Sequence, residues 1–146
     1  MTVNPVPAGF HTVVPYLTVT DAAALLDFMK QGIGATEHHI MRGPDGKIAH
    51  GDVLIGDSHV MFGQVADASK AMSSMLYLYV PDCDVVFRRA LAAGATSIAE
   101  PKNQFYGDRS GAVRDCCGNH WYFATHVEDL SDAELQRRST ARPPQP

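Results

Sequence analysis

The chain repeats itself. Val19-Thr20-Asp21 precedes a helical run to Ile33 and the stop Gly34-Ala35-Thr36, and Val80-Pro81-Asp82 precedes a second run to Ala93 and Gly94-Ala95-Thr96. Asp21 and Asp82 lie 61 positions apart, while Gly34 and Gly94 lie 60 apart. The spacing returns to 61 where His59-Val60-Met61-Phe62 matches His120-Trp121-Tyr122-Phe123. Three anchors in one order at nearly one spacing identify a tandem duplication with one residue gapped in the helix. Any fold must therefore be assembled from two copies of one unit.

Each copy reads the same way. An apolar strand (Thr12 to Val19; Met75 to Val80) runs into an Asp at the N-cap position of a helix. Ala23, Leu26, Met29 and Ile33, or Val86, Ala90 and Ala93, form the apolar stripe, and Gly34 and Gly94 end the helices as left-handed caps. In the first copy three strands follow, over Glu37 to Met41, Lys47 to Ile55 and Ser58 to Val65. Gly43-Pro44-Asp45-Gly46 makes one turn and Gly56-Asp57 a two-residue hairpin turn. One βαβββ unit buries too little alone. Two placed edge to edge give an α+β fold, an eight-stranded sheet curved around a cavity with helices outside. The expected layout is an arm over residues 1–10, a first module over 11–66, a linker over 67–73 and a second module over 74–127. Residues 128–146 follow, where Ser131 and Glu134 form a capping box that opens a short helix to about Arg138, and Ser139 onward is expected to be a disordered tail.

The βαβββ tandem with an Asp-capped helix ending in Gly-Ala resembles the vicinal oxygen chelate superfamily of glyoxalases, bleomycin-resistance proteins and extradiol dioxygenases. The stretches Gly46-Lys47-Ile48-Ala49-His50, Gln104 to Gly111 and Asp115-Cys116-Cys117-Gly118-Asn119-His120-Trp121 are similar to its PhnB-like branch, which more usually has Pro-Phe in place of Cys116-Cys117. The resemblance covers about residues 10 to 130. It implies four metal-ligand positions on the first and last strands of each module, and matching them residue by residue gives Val14, Met61, Met75 and Tyr122. None is an imidazole or a carboxylate, the donors that Zn²⁺, Ni²⁺, Mg²⁺ or Fe²⁺ take. No cofactor is expected at those positions.

Once the slots are placed, the two-residue period of a strand assigns the faces. Tyr16, Met61, Met75, Tyr77, Tyr79 and Tyr122 line the cavity, with His50, Asp52, His59 and His120 as its polar minority. The Gly56-Asp57 turn pairs Leu54 with His59 and Asp52 with Met61. Inward Tyr and Met also fill ordinary cores, and a strand-end His often only serves its hairpin. Pro101 to Gly111 reads as a long loop able to close over the mouth, with Arg109 either meeting an anionic group or bracing Asp108. Cys116 and Cys117 lack a basic neighbour apart from His120, so no nucleophilic role is expected. His38-His39 is a weak metal pair, and His11 and His126 belong to no constellation.

Composition removes whole classes of function. Twelve Lys plus Arg against sixteen Asp plus Glu give −4 without charge runs, which leaves no footprint for nucleic acid or an anionic membrane. Three Cys cannot build a disulfide framework, and the opening MTVNPVPAGF has neither the basic region nor the apolar core of a secretory signal, so a cytoplasmic protein is expected. Three readings of function remain open. The first is metal-independent binding of a small organic molecule, with a homodimer covering free strand edges. The second is an enzyme with His50, Asp52 or His59 as base and a Tyr or Arg109 as oxyanion donor, related to glyoxalase-type lyases and isomerases. The third is a displaced metal site on His50, Asp52 and His59.

Overall fold

The computed structural model describes residues 2–142. The order is β1 (Tyr16–Val19), α1 (Ala22–Phe28), β2 (Thr36–Arg42), β3 (Ile48–Ile55), β4 (Ser58–Gln64), β5 (Met75–Tyr79), α2 (Cys83–Ala92), β6 (Thr96–Asn103), β7 (Asp108–Arg114), β8 (His120–His126) and α3 (Asp132–Ala141). Both modules are βαβββ, as the duplication requires. The eight strands do not form one continuous ladder: they divide into two four-stranded sheets, ordered β1-β4-β3-β2 and β5-β8-β7-β6. In each, the first strand runs parallel to the last and the others are antiparallel.

Local chemistry accounts for the elements. The Asp21 carboxylate accepts from the Ala24 N–H at 3.0 Å, and Asp82 accepts from Asp84 and Val85 at 3.1 and 3.2 Å. Gly34 and Gly94 take φ of 80° and 104°, the left-handed region that ends both helices. The residue gapped in the repeat has a physical form: α1 continues into a π-helical turn over Met29–Ile33, whereas α2 has none. A π turn takes up one extra residue without disturbing what lies before and after it.

Of the expected stripes, Leu26, Met29, Ile33 and Ala90 are buried, and the others are replaced by neighbouring residues. Ala22, Leu25, Leu26, Phe28 and Met29 face inward from the first helix and Cys83, Phe87 and Ala90 from the second, while Ala23 is exposed and Val86 and Ala93 are only half-buried. The modules share one core, in which the Phe28 and Trp121 rings lie 6.0 Å apart and the backs of the two sheets meet the helices.

Four further expectations change. β1 begins at Tyr16, not Thr12, because Pro15 has no N–H to give the ladder; its carbonyl still accepts from Met61 N at 2.9 Å. Val14 thus precedes the strand. Pro101 to Gly111 is no long loop: β6 and β7 form a hairpin whose turn is Gln104 to Gly107. α3 runs past Arg138 to Ala141, so the tail expected from Ser139 is helical at its start, and its last four residues, 143–146, lie outside the described residues, as does Met1 of the arm. Finally, Gly51 pairs with Phe62 as Gly111 pairs with Phe123, so the repeat offset on this strand is 60 and not 61, and Asp52 corresponds to Ala112. At Gly51 a phenyl ring crosses the sheet, whereas Gly111 is crossed by the Pro101 ring. A Cβ on Gly51 would lie 2.2 Å from Phe62 Cζ.

Candidate functional site

Strand alternation delivers the expected side chains to one face of each sheet. Tyr16 pairs with Met61, Asp52 with Met61 and Leu54 with His59, the register the Gly56 hairpin implied. In the second module Met75 pairs with His120 and Tyr77 with Tyr122. These faces are open: Tyr16 is 48% exposed, Met75 63%, Tyr77 40% and Tyr79 66%, while Leu76 and Leu78 between them turn toward the core. A groove of about 1010 Å³ lies between β1 and β5, and Tyr16, Met75, Tyr77 and Tyr79 line it together with Ile33, Val86 and Arg89. Met61, His120 and Tyr122 sit half-buried farther into the sheet faces. Tyr77 stacks on Tyr122 (6.2 Å, 15°) and meets Tyr79 edge-on.

Two buried carboxylates organise the polar groups, one per module. In the first, Asp52 is 3% exposed and bonds through Oδ1 to His59 Nδ1 at 2.9 Å and through Oδ2 to His38 Nδ1 at 3.0 Å. The three donor atoms lie within 4.8 Å of one another. His38 reaches Asp52 because β2 carries a register shift between Glu37 and His39, a bulge that re-aims one side chain. Phe10, from the N-terminal arm, stacks on His59 at 3.7 Å and approaches His38 edge-on. His50 does not join this group. Its Nδ1 lies 3.2 Å from the Tyr16 hydroxyl.

In the second module Asp108, 4% exposed, accepts from the Tyr77 hydroxyl at 2.8 Å, from the Tyr79 hydroxyl at 3.0 Å and from His126 Nδ1 at 3.0 Å. His126 Nε2 lies 2.7 Å from Asp129. Burial alone would raise the Asp108 carboxyl, but the bonds from His126, Tyr77 and Tyr79 outweigh it and hold the group below the usual carboxylate range. Burial and Asp108 together push the Tyr77 phenol far above its ordinary value, and the bond to Asp108 raises Tyr79. Both phenols stay protonated. Asp108, followed by Asp129, raises His126 above its usual value.

Arg109 stands apart from the other expected site residues. One position along β7 from Asp108, it points to the opposite face, where Nε and Nη2 bond both oxygens of Asp84 at 3.1 to 3.2 Å and hold that carboxyl below its ordinary range. It neither covers the groove nor braces Asp108. His126, read as isolated, belongs to the Asp108 group. Burial raises both vicinal thiols, Cys117 up to about 12, so neither is a thiolate near neutral pH. The four positions matched to family metal ligands remain a poor fit: Val14 lies ahead of β1, Met75 is largely exposed, and Met61 and Tyr122 offer a thioether and a phenol.

Sequence reasoning missed His38 and the Asp108 hub. The bulge breaks the two-residue period that would have placed His38, and no spacing rule locates a bulge. The hub was within reach, since a strand beginning at Asp108 sends Asp108 and Arg109 to opposite faces.

Among the described residues no helix is long and apolar enough to cross a membrane. The uncharacterized protein Mb0911c of Mycobacterium bovis is 34% identical over 147 residues, covering 93% of this chain and 94% of that protein. Among solved structures, TioX from Micromonospora sp. ML1 is 27% identical with a TM-score of 0.69, covering 80% of this chain and 99% of its own. A putative 3-demethylubiquinone-9 3-methyltransferase, PhnB protein, from Bacillus cereus shares the fold at 15% identity, with a TM-score of 0.64 over 79% of this chain and 99% of its own. The model of the Glyoxalase/Bleomycin resistance protein/Dioxygenase superfamily matches residues 9–123, and with the paired βαβββ modules this makes the chain a member of that superfamily.

Proposed function

We propose that the protein binds a small organic molecule against its open aromatic faces, in the manner of a bleomycin-resistance protein, without a metal at the family's usual positions. The observation that carries this reading is the commitment of the hydrogen-bond donors. An acid–base enzyme built on Tyr77, Tyr79 or Arg109 would need that group free to stabilise a developing oxyanion. Here the Tyr77 and Tyr79 protons are given to Asp108, and Arg109 is held by Asp84. The phenols are therefore oriented plates whose oxygen lone pairs remain free to accept N–H groups. A fixed aromatic surface loses little conformational freedom when a flat ligand stacks on it.

A second copy of the chain completes the site in this proposal. Tyr16, Met75, Tyr77 and Tyr79 expose aromatic and thioether surface in one place, and β5 has a free edge beside it, while β1 is met there by the Thr18–Met72 bridge. Facing modules from two copies would cover both. Light scattering at micromolar concentration should give a dimer, and a monomer would refute this part.

The functional test is calorimetric titration with bleomycin and a panel of planar heteroaromatic compounds, alongside an assay for glyoxalase turnover. Saturable binding without turnover, weakened in Tyr77→Ala, is the expected result. Turnover abolished by Asp52→Asn would favour the lyase or isomerase reading instead.

A further inference from the structure

We propose that His38, Asp52 and His59 form a binding site for a divalent transition-metal ion, outside the positions at which the superfamily's resemblance places one. It goes beyond the reading above and does not rest on it. The expectation of no cofactor was argued from Val14, Met61, Met75 and Tyr122, none of which belongs to this cluster.

Geometry is the first support. Metal–nitrogen and metal–oxygen bonds of about 2.0–2.2 Å set neighbouring donors roughly 3 Å apart. His59 Nδ1 and His38 Nδ1 already lie 2.9 and 3.0 Å from different oxygens of one carboxylate. The donors come from three adjacent strands, β4, β3 and β2, so their spacing is set by the sheet ladder and not by a loop. Two imidazoles and one carboxylate are the donor set that borderline divalent ions prefer.

Charge is the second. Asp52 is buried, and its ion-pair partners among the described residues are these two histidines, which carry charge only when protonated. With both imidazoles neutral, the buried carboxylate has no counter-charge, a costly state that a cation relieves. Binding needs no gain or loss of protons from neutral imidazoles. Each moves its proton from Nδ1 to Nε2 and offers Nδ1 to the ion.

Access is the third. The His59 and Asp52 side chains are 4% and 5% exposed while His38 is 47% exposed, and Phe10 stacks on His59. The cluster is thus walled on the His59 side and open at His38, where water or a ligand group could complete the coordination.

The test is Zn²⁺ titration by calorimetry on the full chain after chelator treatment, with Co²⁺ absorption as a second readout. The parent should bind one equivalent and give Co²⁺ bands of an imidazole–carboxylate site. His38→Ala and Asp52→Asn should each weaken Zn²⁺ by about tenfold or more, since even outer-shell partners of bound metals are worth that much. His38 is half-exposed, so His38→Ala decides the matter even if Asp52→Asn fails to fold. No stoichiometric binding by the parent overturns the proposal. So does binding that survives His38→Ala, because it then belongs to other histidines.

Discussion

Replacing Asp115 by Ala should destabilise the protein by a specific and separable route. Asp115 is 5% exposed, in the turn between β7 and β8. Its Oδ1 accepts from the Cys117 and Asn119 backbone N–H groups at 2.8 and 3.0 Å, and its Oδ2 from Asn119 Nδ2 at 3.0 Å and Trp121 Nε1 at 2.8 Å. Asn119 in turn accepts from Ser74 N at 2.9 Å through its side-chain oxygen, so the same turn ties β5 to β8. This is why Asp115, Gly118 and Asn119 carry much of the family resemblance: Gly118 takes φ of 84°, and the carboxylate holds the rest. In the Ala variant the indole N–H and both the side-chain and backbone N–H groups of Asn119, on fully buried residues, lose their acceptor, as does the half-buried Cys117 N–H. A stranded buried donor costs roughly 1–3 kcal/mol, and water entering the vacated space recovers part of it, so about 2–4 kcal/mol in total is expected. That is a large share of a domain's roughly 5–15 kcal/mol. Urea denaturation followed by far-UV circular dichroism measures it. Trp121→Phe removes one of the stranded donors in advance, so Asp115→Ala should cost about 1–2 kcal/mol less in that background. Additive costs, agreeing within roughly 0.5 kcal/mol, would refute the stranded-donor account.

Gly51→Ala should cost about 2–3 kcal/mol by chemical denaturation because its Cβ would meet fully buried Phe62 at 2.2 Å, and Gly111→Ala should cost less, its nearest neighbour being Pro101 at 3.0 Å; equal losses would refute the packing difference. NMR titration should place His126 above its ordinary pKa, with Asp108→Asn lowering it, and an unchanged His126 would show that the pair is not electrostatically coupled. The signs of the two contributions to stability differ: the depressed Asp108 carboxyl stabilises above about pH 4 and loses this as pH falls through its folded pKa, whereas His126 stabilises below about pH 6.5 and loses this as pH rises through its own. Alkylation of Cys116 and Cys117 by iodoacetamide should be slow at pH 7 and accelerate above pH 9, and rapid labelling at neutral pH would contradict the raised pKa of the thiols.

The parts of this fold that were legible in the sequence are those governed by a fixed period or a fixed turn. Gly56, with φ of 59°, sets a two-residue hairpin, and from it the partners of Asp52 and His59 follow by counting. The π turn was visible as the one residue by which the repeats differ, although its conformation was not. What stayed hidden depends on departures from regularity. A bulge in β2 turns His38 onto Asp52, and an arm folds back to set Phe10 on His59. Neither leaves a mark in local spacing, since bulges and arm docking are decided by tertiary contacts. Asp108 failed for another reason. Beside an arginine, it invited a local ion pair, yet neighbours on a strand face opposite ways, and the salt bridge formed with Asp84, 25 positions away.

The duplication also shows how two copies of one frame come to hold different chemistry. Each module keeps a buried carboxylate on its open face, but not at equivalent positions: Asp52 corresponds to Ala112, and Asp108 to Ile48 on the same offset. The two carboxylates stand at different places in the repeat and have different partners. Asp52 gathered imidazoles from the two strands flanking it. Asp108, at the start of its strand, lies across β8 from Tyr77 and Tyr79 and gathered phenols. Imidazoles around a carboxylate exchange protons or hold an ion near neutral pH, whereas phenols around one are locked in their protonated form. In the two proposals above, the first module would hold the ion and the second the fixed surface against which a ligand lies. Exchanging Asp108 for Asn should accordingly loosen aromatic ligand binding while leaving Zn²⁺ affinity at its parent value, and a loss of Zn²⁺ binding in that variant would show that the two modules do not divide the work.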